Sequence, residues 1–319
     1  RAVVLNSGGA NACTGPEGFQ DTHATAEHAA TALGLGAIDV AVASTGLIGV
    51  RLPMAKLTAG VTDAVTALGD TGGPDAARAI MTTDSVPKTT VVQRDGWTVG
   101  GMAKGAGMLA PSLATMLVVL TTDARVPADV LQAALARATA VSFERVDSDG
   151  CLSTNDTVIA LANGAGDATP TPEEVVQALT EACTDLAMQL LADAEGSTKD
   201  IAITVRGAAS VADALSAGRA CARSNLLKTA LFGGDPNWGR VLAAIGTTDA
   251  AFEPDRVDVT INGVPVCRGG AIGDPREGVD LTGRQVAIDV DLGAGGEQAT
   301  IWTNDLSIAY VHENSAYST

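Results

Sequence analysis

The feature that most constrains the fold of this chain is an alternation of β-type runs with helical segments in its first half. Residues 2–5 form a short apolar run typical of a buried strand, and residues 21–33 have helical composition with Gly34 directly after them. A β-type run at 37–43 and a helical segment at 53–68 repeat the order. Glycine just past a helix is a common termination signal. The alternation predicts helices layered on β-sheets.

The rest of the chain continues this layered pattern. Residues 88–99 contain two β-type runs around an Asp-Gly dipeptide, which favours a hairpin turn. The strongest predicted helix spans residues 171–194, because a Thr-Pro-Glu-Glu start supplies a capping box and apolar residues then recur every three or four positions. A further helix is predicted at 129–141. The last third is rich in predicted strands, at 201–205, 257–261, 286–291 and 299–303.

Composition limits the classes of protein to which the chain can belong. Its 319 residues are 46% hydrophobic but only 3% aromatic, so aliphatic side chains must fill the core of one large or two medium domains. A formal net charge of −17 repels nucleic acid and anionic membranes. No apolar run has the roughly 18 residues that span a bilayer, and no signal peptide is recognised. We therefore predict a cytoplasmic protein that binds neither nucleic acid nor membrane.

Cysteine and histidine usage argues against disulfide and metal chemistry. The five cysteines are scattered and never form a Cys-x-x-Cys pair, and the chain has only three histidines. Disulfide frameworks and structural zinc sites normally show closely spaced ligands. We therefore expect no metal site, and a reducing compartment is the simplest setting.

A glycine-rich segment and the residues after it indicate one route to nucleophilic catalysis. Residues 100–107 are rich in glycine, and Ala114 and Thr115 precede an apolar β-type run at 116–120. The chain has no Gly-x-Ser-x-Gly elbow and few histidines for a Ser-His-Asp arrangement. If the peptide bond before Thr115 is cut, the freed α-amine, whose ordinary pKa is about 7.7–8.0, can accept the hydroxyl proton. The commoner explanation for such a threonine is that it simply begins a strand.

Four other residues have both a functional and a structural interpretation. Thr45 and Gly46 follow a β-type run and could offer a hydroxyl and an N–H to an oxyanion, although an ordinary turn is commoner. Lys104 could pair with a carboxylate substrate, or it could be an exposed surface lysine. Glu195 follows the long helix, where an acid opposes the helix dipole. That unfavourable placement mildly supports a role in binding a substrate ammonium.

Three loops contain short motifs whose meaning the sequence leaves open. Residues 147–150 resemble the start of a calcium loop, but Val158 stands where the twelfth-position glutamate belongs, so we predict a turn. Residues 232–240 are glycine-rich but lack the Lys-Ser/Thr of a phosphate loop. They either line a site or cap a helix. Residues 6–11 are similarly polar and tight, and either line the site or form a turn.

Taken together and in order, these motifs resemble the ornithine acetyltransferase, or glutamate N-acetyltransferase, family. Each motif alone is weak, but the set is highly specific and covers essentially the whole chain. Family members normally carry several dozen further residues before the position that matches Arg1. The matching motifs are LNSGGANA (5–12), STGLIG (44–49), MTTD (81–84), AKGAGM (103–108), ATML (114–117), DSDG (147–150), GGDPNWGR (233–240) and ENSAY (313–317).

The resemblance implies a chain that cuts itself and then transfers an acetyl group. The cut would fall between Ala114 and Thr115, giving an α chain of residues 1–114 and a β chain of residues 115–319. Thr115 would then take acetyl from N-acetylornithine, release ornithine and pass the acetyl group to glutamate in a ping-pong scheme of arginine biosynthesis. Some family members also use acetyl-CoA as a donor, and the sequence does not decide this point.

The resemblance also implies a site, a fold and an assembly. Thr45 and Gly46 match the oxyanion-hole pair. The fold would be a self-processing DmpA/ArgJ-like α/β fold, with helices packed outside mixed β-sheets and an N-terminal nucleophile. The α and β chains would pair again into an α2β2 heterotetramer, with neither metal nor organic cofactor because the enzyme itself carries the acyl group. The residues that match substrate-contacting positions are Thr82, Lys104, Thr115, Glu195, Asn314 and Thr319.

Two rival functions stay open on the residues alone. A self-processing aminopeptidase has a similar layout but passes its acyl group to water, so acetyl transfer to glutamate would distinguish it. A non-catalytic small-molecule binding protein with glycine-rich loops would remain uncut, and its affinity would not depend on Thr115.

Overall fold

The computed structural model describes residues 1–108, 110 and 116–316, which fold into three β-sheets with helices packed against them. The smallest sheet pairs β1 (Ala2–Gly9) with β2 (Val40–Leu47) in parallel. Parallel neighbours need a crossover connection, and α1 (Gly15–Leu33) provides it. α2 (Met54–Thr66) packs on α1, and a small apolar cluster forms among these elements.

A four-stranded sheet follows, with its strands in sequence order. The second strand is antiparallel to both of its neighbours, and the fourth is parallel to the third. The elements of this layer are α3 (Gly73–Ala79), β3 (Lys88–Arg94), β4 (Trp97–Lys104), β5 (Leu117–Thr122), α4 (Ala128–Val141), β6 (Thr157–Ala162) and α5 (Pro172–Ala192). The β3–β4 hairpin predicted at 88–99 is confirmed. Helices α4 and α5 pack on each other, and α5 covers β3 and β4.

The third sheet has six strands and is formed by the last third of the chain. Its elements are β7 (Asp200–Ala208), α6 (Val211–Ala222), α7 (Asn225–Phe232), α8 (Trp238–Ile245), β8 (Asp258–Ile261), β9 (Val264–Arg268), β10 (Ala271–Ile272), β11 (Gln285–Asp291), β12 (Glu297–Asn304) and α9 (Ile308–Ala316). The strand order is β10-β9-β8-β11-β7-β12, with only β11 and β7 parallel. Helix α6 packs on β7 and β12. The predicted layered α/β class is confirmed.

Helix α5 shows how local signals and burial agree. The predicted capping box is present, because Thr171 N donates to the Glu174 carboxylate and Glu174 N donates to Thr171 Oγ1. Most apolar positions of the helix, including Leu179 and Leu186, are fully buried against the four-stranded sheet. No helix in the described ranges, α5 included, is long and apolar enough to cross a lipid bilayer.

Some boundaries and elements differ from the sequence predictions. Helix α1 begins at Gly15 instead of residue 21, because Pro16 suits a first helical turn. The sequence prediction missed this start because the residues around Pro16 show no apolar period. Residues 37–39 form a short 3₁₀ turn, so β2 begins only at Val40. The predictions also omitted α3, β6, β9, β10 and all four helices from α6 to α9.

Leu186→Ala is expected to lower the free energy of unfolding by about 2–5 kcal/mol, because it removes a fully buried side chain and leaves a cavity beneath α5. Leu226→Ala is the matched control, since Leu226 is 65% exposed on α7, and it should change that free energy by less than about 0.5 kcal/mol. Urea unfolding followed by circular dichroism measures both. Equal effects of the two substitutions would contradict this description of the core.

Candidate active site

Most of the site residues predicted from the sequence lie around one cleft. Six of them line it: Thr45, Gly46, Thr82, Lys104, Glu195 and Asn314. Loop residues complete its walls: Ala10, Ile48, Thr83, Gly107, Met108, Ser153, Thr154 and Asn155. The other predicted positions, Ala114, Thr115 and Thr319, lie outside the described residues. The cleft therefore joins segments that are far apart in the chain.

The ends of β1 and β2 approach each other too closely for any side chain at Gly46. Gly46 lies opposite Gly8 in the parallel register, and a Cβ on Gly46 would stand 2.4 Å from the carbonyl carbon of Gly8. Gly46 also has a φ of +124°, which L side chains rarely adopt. Both constraints require glycine directly after Thr45, which is itself buried.

Lys104 ends β4 with its ammonium group buried beside Thr45. Its Nζ donates a hydrogen bond to Thr45 Oγ1 at 3.2 Å, and the residue is only 1% exposed. Burial lowers the pKa of Lys104, while the carboxylates of Asp84, Asp156 and Glu195 oppose this shift. The interpretation of Lys104 as an ordinary exposed lysine is therefore wrong.

The Asp84 carboxylate ties Thr82 to the end of β4. It accepts hydrogen bonds from Thr82 N at 3.1 Å and from Gly105 N at 2.6 Å. It also forms an ion pair with Lys88 Nζ at 2.7 Å. Lys88 is fully buried and also contacts Asp193 at 2.6 Å. Burial alone would raise the pKa of Asp84, but the Gly105 N–H and the Lys88 ammonium lower it below its ordinary value. This buried network fixes two segments of the cleft in relation to each other.

Glu195 lies in the turn after α5 and packs on the glycine-rich loop. Its backbone N–H donates to Ala106 O at 2.8 Å, and a Cβ on Gly107 would stand 2.7 Å from its Oε2 atom. The next loop residue, Met108, donates its N–H to Asp149 Oδ2 at 2.7 Å. The loop that leads towards residues 111–115 is thus held by two acidic residues from other segments.

Asn155 and Asp156 were missed by the sequence analysis. Asn155 Nδ2 donates to Ala10 O at 2.5 Å and to Ser44 O at 2.9 Å, so it joins the loop before β6 to the smallest sheet. Asp156 Oδ1 accepts a hydrogen bond from Met116 N at 2.9 Å. The only available signal was a Ser-Thr-Asn-Asp run directly before a β-type segment, which is equally typical of a turn.

The structure answers the open question differently for each of the three loops with uncertain motifs. Within residues 232–240, Asn237 Oδ1 accepts from Arg240 N and caps α8, and none of these residues lines the cleft. Residues 147–150 form the predicted turn, closed by a bond from Gly150 N to Asp147 Oδ1. From residues 6–11, one residue, Ala10, lines the cleft.

The cleft places a buried ammonium group and a carboxylate around one polar space. Lys104 can contact a substrate carboxylate, and Glu195 can contact a substrate ammonium. Hydroxyl and amide groups of Thr45, Thr82 and Asn314 supply further hydrogen-bonding partners. Across the described residues, no three His, Cys, Asp or Glu side chains cluster as metal ligands would. The arrangement suits a small substrate that carries charges of both signs.

Comparison with known proteins places the chain in a family. The family model described as the ArgJ family matches residues 1–319. The arginine biosynthesis bifunctional protein ArgJ of Streptomyces avermitilis is 65% identical over 317 residues, which cover 99% of this chain and 83% of that protein. The protein of the same name from Mycobacterium tuberculosis H37Rv is 58% identical over 326 residues, covering 100% and 81%.

A solved structure supports the fold independently. The crystal structure of the arginine biosynthesis bifunctional protein ArgJ from Bacillus halodurans aligns with a TM-score of 0.57 and 34% identity. The alignment covers 62% of this chain and 97% of that chain. Sequence and fold therefore agree, and this chain belongs to the ArgJ family.

Proposed function

We propose that this enzyme transfers an acetyl group from N-acetylornithine to glutamate in arginine biosynthesis, with Thr115 as the nucleophile. The observation that carries the proposal is the convergence of Thr45, Gly46, Thr82, Lys104, Glu195 and Asn314 on one cleft. Membership of the ArgJ family and the names of its relatives support the pathway.

Self-cleavage prepares the nucleophile. The bond between Ala114 and Thr115 is cut, which separates an α chain of residues 1–114 from a β chain of residues 115–319. Thr115 then has a free α-amine, and this amine can take the proton of its own hydroxyl near neutral pH. This assignment is supported by the loop that precedes the junction in the sequence, because two of its residues, Gly107 and Met108, line the cleft.

Acetyl transfer then proceeds in two balanced steps. Thr115 Oγ attacks the acetyl carbonyl of N-acetylornithine, and its proton passes through the α-amine to the departing nitrogen of ornithine. The amine of glutamate attacks the resulting ester, and its proton returns to Thr115 Oγ as N-acetylglutamate leaves. Thr45 and Gly46 stabilise the oxyanion of each tetrahedral intermediate by hydrogen bonding.

Charge explains the choice of substrates. Lys104 binds the carboxylate that both substrates carry, and Glu195 binds the side-chain ammonium that only N-acetylornithine carries. Thr82, Asn314 and Thr319 contribute polar contacts. The acyl group is carried by Thr115, so the reaction needs neither a metal ion nor an organic cofactor. We further propose an α2β2 assembly in the cytosol, with acetyl-CoA as an additional acetyl donor.

The wild-type chain is expected to give two bands on a denaturing gel, whereas Thr115→Ala should give one band of 31.9 kDa, because alanine lacks the attacking hydroxyl. Thr115→Ser keeps a hydroxyl and is the control, so it should still be cut. Intact mass spectrometry should locate the new N-terminus at Thr115. An uncut wild-type chain, as a binding protein would give, would contradict the proposal.

Lys104→Met is expected to lower kcat/KM about a hundredfold for both N-acetylornithine and glutamate, because it removes a charge-assisted hydrogen bond to their shared carboxylate. Glu195→Gln should affect N-acetylornithine more than glutamate. Lys56→Met, at an exposed lysine on α2, is the matched control and should leave both values unchanged.

Acetyl transfer assays with each substrate measure these effects on processed enzyme. Equal losses for both substrates in Glu195→Gln would contradict the charge assignment. Transfer of the acetyl group only to water would instead support the aminopeptidase-like alternative.

A further inference from the structure

Self-cleavage needs a base that the mature enzyme does not need. In the uncut chain the nitrogen of Thr115 is part of an amide, so it cannot accept the hydroxyl proton. The α-amine becomes available only after the bond is broken. If Thr115 is the nucleophile, as the proposed function requires, another group must take the proton during the first attack.

The pairing of β5 with β6 puts one carboxylate beside Met116, the first described residue after this junction. Leu117 lies opposite Thr157 in the parallel register, and Thr157 N donates to Met116 O at 3.0 Å. In the same stretch, Met116 N donates to Asp156 Oδ1 at 2.9 Å. Met116 directly follows Thr115 in the sequence, so the Asp156 carboxylate accepts from the amide nitrogen that is bonded to the predicted nucleophile.

The second oxygen of Asp156 has unused hydrogen-bonding capacity. Its Oδ2 atom is buried and has no hydrogen-bond partner within residues 1–108, 110 and 116–316. Buried carboxylate oxygens are normally paired, and an unpaired one calls for an explanation. Asp156 also lines a cavity together with Ala110 and Met116, the two described residues on either side of residues 111–115. Asp156 thus shares a cavity with described residues that come before and after the junction in the sequence.

We propose that Asp156 is the proton acceptor for self-cleavage at Ala114–Thr115. The Asp156 carboxylate takes the proton from Thr115 Oγ as that oxygen bonds to the carbonyl carbon of Ala114. The C–N bond then breaks, and Asp156 returns the proton to the nitrogen of Thr115, which leaves Ala114 as an ester on Oγ. Water hydrolyses the ester: its hydroxyl remains on Ala114, its hydrogen returns to Oγ, and both chains are released.

The electrostatic surroundings of Asp156 suit both the uptake of a proton and its return. Burial raises the pKa of Asp156 to about 7, while the Met116 N–H and the Lys104 ammonium act in the opposite direction. Glu144 is the other acid that lines the same cavity. A group that titrates near neutral pH can accept a proton and return it with comparable ease. Cleavage should therefore slow as pH falls below about 7, because the carboxylate becomes protonated.

The test follows cleavage of the full chain directly. A short cell-free translation pulse with labelled methionine supplies uncut precursor, which is moved into buffers on both sides of pH 7 and sampled on denaturing gels. The wild-type rate should fall about tenfold per unit below pH 7. Asp156→Asn keeps an oxygen for Met116 N but cannot take a proton. It should cleave at least about a hundredfold more slowly, and its rate should lose that pH dependence.

Two further variants separate proton transfer from a structural effect. Asp156→Glu retains a carboxyl group and should restore part of the rate together with the pH dependence. Asp123→Asn is the matched control, because Asp123 likewise accepts a backbone N–H, from Thr98 at 2.8 Å, beyond the opposite end of β5. It should cleave like the wild type.

The outcomes distinguish this inference from the function on which it rests. If the wild type cleaves at Ala114–Thr115 and Asp156→Asn matches its rate and pH profile, Asp156 is not the base. A wild-type rate that does not fall below pH 7 would also overturn the inference, whether or not the variants fold. If the wild type never cleaves, the proposed function itself fails.

Discussion

The pairing of β5 on both sides is the constraint on which the rest of the site depends. Leu117 lies opposite Lys104 of β4 and also opposite Thr157 of β6. Because β5 is buried in the middle of its sheet, its register is strongly specified, and a slip of one residue would turn its side chains to the wrong face. This register brings Lys104 from one neighbour and Asp156 from the other to the strand end that follows Thr115.

Hydrogen bonds between distant segments complete what the register begins. Asn155 joins the loop before β6 to the smallest sheet, and Asp84 joins Thr82 to the end of β4. Glu195 and Asp149 hold the glycine-rich loop from two further segments. Since these contacts exist only in the folded chain, the chemistry of the cleft is coupled to folding. Self-cleavage would accordingly follow folding and would not precede it.

Helices and strands that carry a strong local sequence signal were predicted correctly. The capping box of α5 and the Asp-Gly turn between β3 and β4 act over a few residues, so the sequence alone located both elements. Helices α7 and α8 have only eight residues each and pack on α6 and on each other. Ser224 and Asn237 cap them, but a single polar cap before so short a helix is equally typical of a turn, so the sequence did not distinguish them. The start of α1 was misplaced because Pro16 and its polar neighbours show no apolar period.

The candidate site was predictable where a family motif existed. The resemblance named Thr45, Lys104 and Glu195, and the structure brings them to one cleft. Without the resemblance, the local pattern favoured an ordinary turn at Thr45 and an exposed surface lysine at Lys104. Asp156 escaped notice because its neighbour Met116 is forty positions earlier in the chain. Only strand pairing reveals that contact. Residues that act through long-range register are therefore the part of a site that sequence reasoning finds last.

The acetylated enzyme is the intermediate that tests the central claim most directly. Processed protein would be mixed with N-acetylornithine in the absence of glutamate, quenched in acid and examined by intact mass spectrometry. One acetyl group is expected on the chain that begins at Thr115 and none on the other chain, and the group should be lost when glutamate is added. An acetyl group elsewhere, or a β chain that stays unmodified while N-acetylornithine is consumed, would contradict that claim.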